Sequence, residues 1–469
     1  MTKRAPWVLA AAVTVVLLAL ASRYGPHRDE LYFVLLGRHP QWGYPDQPPL
    51  TPLVARLADL VAPGSLTVLR LVPALLIGGL VLLGADFAKL LGGDRWAQNF
   101  TALMIAAGGL VLFAGHILST ATLDLFLQAV VIRAFFGALR VDPGPRWLGV
   151  GLAVGIGLQN KSLVAFLAGA LVVGIAVTPS LRRHLVSPWA WGGAVIAAVF
   201  WAPDLIWQAR HGWPQFTLAG EIRDEYGGPG GIAQLLLLQF TLISFVAVLV
   251  AWGGWKALWR RPDWAFARPV AVAYPLLLVF YALTGGKFYY LAGLIVPLAA
   301  AGAVVLKDRK GAVPLVFVVA LIPLPALLPI LPQHLYVHSF YPALNEDGLE
   351  TVGWPKVVGQ IRDATAEHSP NAVIITENYG EAGALDWYGV GLPVYSGHNG
   401  LAAFGPPPDS TDQVWFVGDG VPAALPGCRQ VATLDTGADN EETGNHVWRC
   451  PGPAGSWAQV WPRLSHLDA

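Results

Sequence analysis

Leu118-Ser-Thr-Ala-Thr-Leu-Asp-Leu-Phe-Leu-Gln-Ala-Val-Val-Ile-Arg-Ala-Phe-Phe-Gly-Ala-Leu139 is an apolar run long enough to cross a bilayer, with a carboxylate, Asp124, near its start. Similar stretches, judged against the about 17 to 25 residues a membrane helix needs, fall near Trp7 to Ala21, Thr67 to Leu91, Ala97 to Ala114, Trp147 to Leu158, Leu163 to Val177, Trp189 to Trp207, Ile232 to Leu258, Val270 to Leu283, Phe288 to Leu306 and Val313 to Leu331. The expected fold is therefore mainly α, a polytopic membrane protein of about eleven transmembrane helices. Composition agrees: 55% of the 469 residues are hydrophobic and 13% charged, against about 25% charged in a soluble domain, and mean hydropathy is +0.52. Lys plus Arg (30) balance Asp plus Glu (30), with no basic block, which disfavours nucleic acid as a partner.

Orientation follows from the basic residues of short loops, which stay in the cytoplasm. With the Lys3–Arg4 end inside, alternation places inside the loops that carry Arg95, Arg140 with Arg146, Arg182 with Arg183, Arg260 with Arg261 and Arg268, and Lys307 with Arg309 and Lys310. Outside fall Arg23 to Ser65, the short loops at Gly115, Gln159 and Gly285, the loop Gln208 to Gly231, and everything after Pro332. Ala19-Leu20-Ala21 has the form of a signal-peptide cleavage site, but a retained first helix is expected, because the functional residue types after it need tethering at the membrane. From about Gln333 the apolar runs give way to polar sequence, so residues 1–332 form the expected transmembrane domain and 333–469 a small extracytoplasmic α/β domain. Within it Asn371 to Thr376 and Gln413 to Val417 read as buried strands, and Val352 to Glu367 and Glu381 to Tyr388 as helices. Cys428 and Cys450, the only cysteines, are expected to form a disulfide in an oxidising compartment.

Ionisable groups beside membrane spans are functional candidates by default, and here they gather at one face. Asp29 and Glu30 directly follow the first span; a carboxylate there can be a general base or a metal ligand, or can complement a helix dipole. Asp46-Gln-Pro-Pro49 reads as a site loop or as a stiffened connection. Asp124 needs a partner within the membrane. Lys161 and Lys287 each carry the charge of an outer loop and can neutralise a phosphate, or can snorkel to the headgroups. The loop Gln208 to Gly231, rich in charge and glycine, reads as a flap over a site or a solvated loop, and its His211 could share a divalent metal with Asp46.

These residues resemble the bacterial polyprenyl-phosphate-dependent glycosyltransferases of family 39 type, protein mannosyltransferase-like enzymes with the membrane-embedded GT-C fold, whose relatives include the transferases that add aminoarabinose to lipid A. The resemblance covers most of the chain and rests on Asp29-Glu-Leu-Tyr32, Trp42-Gly-Tyr-Pro-Asp-Gln-Pro-Pro49, Thr122-Leu-Asp124, Gln159-Asn-Lys161, Ser187-Pro-Trp189, Pro203-Asp-Leu-Ile-Trp-Gln208, His211-Gly-Trp-Pro214 and Gly285-Gly-Lys-Phe-Tyr-Tyr-Leu291, with Glu377-Asn-Tyr-Gly-Glu-Ala382 and Gly397-His-Asn399 in the tail. It implies that Asp29 is the base taking a proton from the acceptor hydroxyl, that Glu30 supports the site and Asp124 orients acceptor or catalytic groups, and that Lys161 and Lys287 bind the polyprenyl phosphate, whose approach Tyr289 and Tyr290 line. Asp46 matches a position sometimes suggested as a metal ligand, so a divalent metal is an optional cofactor. Gln47 stands where the aminoarabinose enzymes have Lys, which weakens that assignment.

The function so implied is transfer of a sugar from a polyprenyl-phosphate donor to a hydroxyl of a cell-envelope glycan, lipid or protein, at the outer face of the cytoplasmic (inner) membrane, with inversion at the anomeric carbon. Lipid-phosphate sugar, envelope acceptor and membrane lipids are the partners. A transporter or flippase of lipid-linked sugars is the alternative, and predicts polar groups at mid-bilayer or on both sides; a noncatalytic scaffold gives no reason for Asp29, Asp124, Lys161 and Lys287 to share one face.

Overall fold

The computed structural model describes residues 4–239, 245–306, 311–453 and 455–468. Lys3, Lys307, Arg309 and Lys310, used above to orient the chain, lie outside the described residues, as do residues 240–244 of the expected Ile232 to Leu258 span. The chain forms a mainly α fold with a small C-terminal β-containing domain, and divides into two compact units that interleave along the sequence. One comprises Met1–Ala21, Trp42–Thr51 and Arg70–Leu327; the other comprises Ser22–Gln41, Pro52–Leu69 and Leu328–Ala469.

The span count is corrected. Among the described residues five helices are long and apolar enough to cross a membrane: Leu66–Leu90, Thr120–Leu139, Pro188–Arg210, Pro262–Thr284 and Phe288–Leu306. A sixth is present if Arg95–Ala106 and Gly109–His116, bent by 57° at their break, count as one. The expectation of about eleven took each apolar run as one continuous helix. Ala5–Leu20, Arg146–Leu158 and Leu163–Val177 have 16, 13 and 15 residues, and at about 1.5 Å per residue they fall short of a hydrocarbon layer about 30 Å thick. The run 97–114 breaks where Gly108 leaves helical geometry (φ −73°, ψ 132°), and Val313 to Leu331 divides into Ala312–Leu321 and Leu324–Leu327. Long apolar helices still make this a multi-pass membrane protein, but sidedness no longer follows from counting.

In the second unit, five strands form one mixed sheet: β1 Ala372–Thr376, β2 Val394–Ser396, β3 Gln413–Gly418, β4 Arg429–Thr433 and β5 His446–Pro451, in the order β2-β1-β3-β5-β4. β1 runs parallel to β2 and β3, whereas β5 is antiparallel to β3 and β4. β1 and β3 are buried along their whole length, because alternate residues enter two cores. Ile374, Trp415 and Val417 pack with Trp354, Val358 and Ile361 of the Trp354–Ala364 helix, while Val373, Ile375 and Phe416 pack with Trp457 and Trp461 of the Trp457–Leu464 helix. Cys428 and Cys450 are disulfide-bonded, with Cα atoms 4.1 Å apart.

The helix Arg28–Arg38 belongs to this unit and packs on the Tyr379–Tyr388 helix. Leu31 enters the same core as Trp354, and a Cβ on Gly383 would stand 2.5 Å from that of Leu31, so only glycine permits the approach. Arg38 clamps the other end, with hydrogen bonds of 2.9 and 3.0 Å to the Asp59 carboxylate and an ion pair to Asp386.

Candidate active site

In the mainly helical unit, the proline-rich loop and the start of the Asp124 helix are both joined to Gln159–Lys161. Asn160 is fully buried; its Oδ1 accepts from the Thr51 hydroxyl at 2.7 Å and its Nδ2 donates to the Thr120 carbonyl at 2.9 Å. The Leu50 N–H donates to the Gln159 carbonyl at 2.9 Å. One amide thus ties the proline-rich loop and the start of the Asp124 helix to the loop that presents Lys161. The proline-rich loop is held from its other side. Gly43 lies so close to the Pro188–Arg210 helix that a Cβ would stand 2.6 Å from Asp204 Oδ1, and Gln208 Nε2 donates to the Tyr44 carbonyl at 2.8 Å.

Asp124 is buried five residues into a helix that the Ser119 hydroxyl caps by accepting from the Thr122 N–H. Gln128 Nε2 donates to Asp124 Oδ2 at 2.7 Å and to the Tyr290 carbonyl at 3.3 Å, leaving Asp124 Oδ1 without a hydrogen-bond partner among the described residues. Lys161 Nζ lies 4.4 Å from the centre of the Tyr290 ring and 5.1 Å from that of Tyr289, a cation held on two aromatic faces. Lys287 Nζ lies 4.8 Å from the Tyr226 ring. Burial lowers the Lys161 ammonium to about 8; the Asp124 charge raises it in part and the Lys287 charge lowers it further. Two ammonium groups that feel each other, one of them also feeling the buried Asp124 carboxylate, form a net cationic cluster that an added anion would neutralise.

Asp46 and His211 also lie in this unit. Asp46 is partly buried at a turn whose Tyr44 N–H donates to the Gln47 carbonyl. His211 stacks on Trp207, ring centres 3.9 Å apart, with Nδ1 2.7 Å from the Trp207 carbonyl. Among the described residues no group of three or more His, Cys, Asp or Glu is placed to hold a metal ion.

Asp29 and Glu30 lie in the other unit. His27 caps their helix: its Nδ1 accepts from the Asp29 N–H at 3.2 Å, and its N–H donates to Glu30 Oε2 at 2.9 Å. Glu30 is fully buried in this box. The Asp29 side chain is left to meet Tyr379, whose hydroxyl donates to Oδ1 at 3.0 Å. Tyr379 stacks on Tyr32 and meets His398 at a tilt (centres 4.5 and 4.7 Å), with the Arg28 guanidinium 5.0 Å from its ring. The Tyr379 N–H donates to His398 Nδ1 at 3.3 Å, and burial, with His466 and Arg28 nearby, holds His398 neutral with its pKa at about 3. Sequence reading missed Tyr379 and Arg28 as partners of Asp29; the motif Glu377-Asn-Tyr-Gly-Glu-Ala382 was the available signal.

Behind Tyr379, Glu381 and Glu442 form a buried carboxyl pair. Asn378 N and Asn445 Nδ2 donate to Glu381 at 3.3 and 3.1 Å, and Asn378 Nδ2 and Asn445 Nδ2 donate to Glu442 at 3.2 and 3.4 Å. Burial, then repulsion by Glu442, raises Glu381 well above the usual carboxylate range, and burial raises Glu442. The folded state thus binds the Glu381 proton more tightly than the unfolded chain does. This contribution to stability is full below the unfolded pKa of 4.5 and is lost as pH rises through the folded value. Glu381→Gln keeps the capping geometry and removes the titration. It is expected to raise the melting temperature at pH 8 by a few degrees and to leave it nearly unchanged at acid pH; an equal shift at both pH values would refute the assignment.

Residues 46–207 match the sequence family described as dolichyl-phosphate-mannose-protein mannosyltransferase. No curated protein matches this chain in sequence. Among solved structures, ArnT from Cupriavidus metallidurans in the apo state is similar, with 16% identity, a TM-score of 0.62, and 94% of this chain and 97% of that chain covered. The same protein bound to undecaprenyl phosphate gives 17% identity and a TM-score of 0.60 over 97% of this chain and 99% of that chain. At these identities the likeness is one of fold, and it extends over nearly the full length of both chains.

Proposed function

We propose that this chain is an integral-membrane glycosyltransferase that moves a sugar from a polyprenyl-phosphate donor to a hydroxyl of a cell-envelope acceptor. The observation that carries the reading is the cluster in which Lys161 and Lys287 stand against Tyr289, Tyr290 and Tyr226, with the Lys161 charge coupled to those of Lys287 and buried Asp124. Fixed ammonium groups at low dielectric stabilise the phosphate as it leaves the anomeric carbon. The fold shared with a protein crystallised with undecaprenyl phosphate supports this class of donor. Asp29 is the proposed general base: it removes the proton from the acceptor hydroxyl as oxygen attacks the anomeric carbon, the glycosidic bond to phosphate breaks, and one displacement inverts the centre. Tyr379 holds the carboxylate in place and Glu30 holds the helix that carries it.

The membrane is the cytoplasmic membrane, with residues 333–469 and the Ser22–Gln41 segment that clusters with them outside. The Cys428–Cys450 bond supports that side, since disulfides persist in oxidising compartments.

The test is incubation of purified protein with a panel of polyprenyl-phosphate sugars and envelope extract, following release of free polyprenyl phosphate. Release with one donor is the expected result. A folded preparation that consumes none, yet moves the same lipids across vesicles, would replace the transferase with a flippase.

A further inference from the structure

A second polar site lies at the outer edge of the sheet, on residues the transfer chemistry does not use. In the register of β5, Arg449 stands opposite Trp415 of β3 on one side and opposite Arg429 of β4 on the other. Trp415, Arg449 and Arg429 thus stand abreast on one sheet face, with the Arg449 guanidinium 5.6 Å from the Trp415 ring. Like charges directly opposite in an antiparallel pair are destabilising, and neither arginine has an ion-pair partner among the described residues. The disulfide joins their chain neighbours, Cys428 beside Arg429 and Cys450 beside Arg449, and so holds the two cations side by side.

Both arginines line an open cleft of about 490 Å³ with Ser369, Asp412 and Gln413. Gln413 is 6% exposed; its Oε1 accepts from the Ser369 N–H at 2.8 Å, and its Nε2 has no acceptor among the described residues. Asp412 accepts from the Ser369 hydroxyl and stays exposed. The cleft therefore offers two forked cations, an unused amide donor and a carboxylate acceptor, with buried Trp415 behind Arg449.

We propose that this cleft binds an anionic glycan, with an oxyanion of the saccharide on the arginine pair, as in charge-assisted bidentate recognition, and its hydroxyls on Asp412 and Gln413. The volume lies within the range of small-ligand sites. Asp412 argues against a bare anion, which it would repel, and for a ligand that also presents hydroxyl donors. Uronate and phosphodiester-linked saccharides share this chemistry.

The test uses purified, oxidised full-length protein in neutral detergent, with binding of trigalacturonate, tri(glycerol phosphate), maltotriose and inorganic phosphate measured by calorimetry. One of the first two is expected to bind, identifying the oxyanion, while maltotriose does not. Arg429→Gln and Arg449→Gln should each weaken that binding by about tenfold without lowering the melting temperature, because both side chains are exposed and each change relieves the repulsion between them. The proposal is overturned if neither anionic saccharide binds, if the double variant binds as wild type does, or if maltotriose or inorganic phosphate binds as tightly. Binding of phosphatidylglycerol vesicles by wild type alone, without binding of either saccharide, would assign the arginines to a lipid surface instead. None of these readouts requires sugar transfer, so failure here leaves the transferase reading standing, and the reverse.

Discussion

Asp29→Asn is expected to lower turnover of a polyprenyl-phosphate sugar by on the order of a thousandfold while leaving the protein folded, inserted and able to bind donor. The fold survives because the helix start depends on other atoms: the capping box runs from His27 to the Asp29 N–H and the Glu30 carboxylate, and the Asp29 side chain takes no part. The hydrogen bond from Tyr379 also survives, since the asparagine oxygen accepts it as Oδ1 does. What is lost is the capacity to take a proton from the acceptor. Tyr379→Phe supplies the contrast. It keeps the ring contacts with Tyr32 and His398 and removes only the hydroxyl, so a loss of about tenfold is expected, in kcat more than in donor KM. Measurement of kcat, donor KM and melting temperature for both variants checks this; Asp29→Asn turnover within a few fold of wild type would remove Asp29 as the base.

That contrast bears on what could be read in advance. Asp29, Asp124, Lys161 and Lys287 were legible because a charge beside an apolar run is conspicuous in any sequence. Tyr379 was not, because its contact with Asp29 spans 350 positions and only the fold makes it. The same separation hid the clustering of Ser22–Gln41 with the C-terminal sheet. Strands β1 and β3 could be read as unbroken apolar runs, since parallel strands covered on both faces must be so. β4 and β5 could not, because Arg429-Gln-Val-Ala-Thr433 forms the sheet edge, His446-Val-Trp-Arg-Cys-Pro451 lies next to it, and both mix polar residues in without regular alternation. The span count failed for a different reason: hydropathy measures how apolar a run is, and helix length depends also on breaks such as that at Gly108.

Lys161→Met carries the second large effect, and a compensated variant separates its two sources. The Lys161 and Asp124 charges act on each other, so removal of the lysine leaves a buried carboxylate without a cation that favours its charged form. Lys161→Met alone is therefore expected to lower both the melting temperature and kcat/KM for the donor, the latter by on the order of a hundredfold or more. In the double variant Asp124→Asn with Lys161→Met the buried charge is gone and the Gln128 hydrogen bond has an amide oxygen to reach, so the melting temperature should return toward wild type. Donor use should not return, because the phosphate still lacks its cation. Recovery of both would make Lys161 a structural counter-ion only. The pH dependence gives an independent sign. The protonated lysine binds phosphate and the free ammonium titrates at about 8, so wild-type donor KM should rise as pH passes upward through that value. Bound phosphate favours the protonated form and moves the titration higher. With no ammonium at position 161, the double variant should lose that step, and a step unchanged in it would belong to some other group.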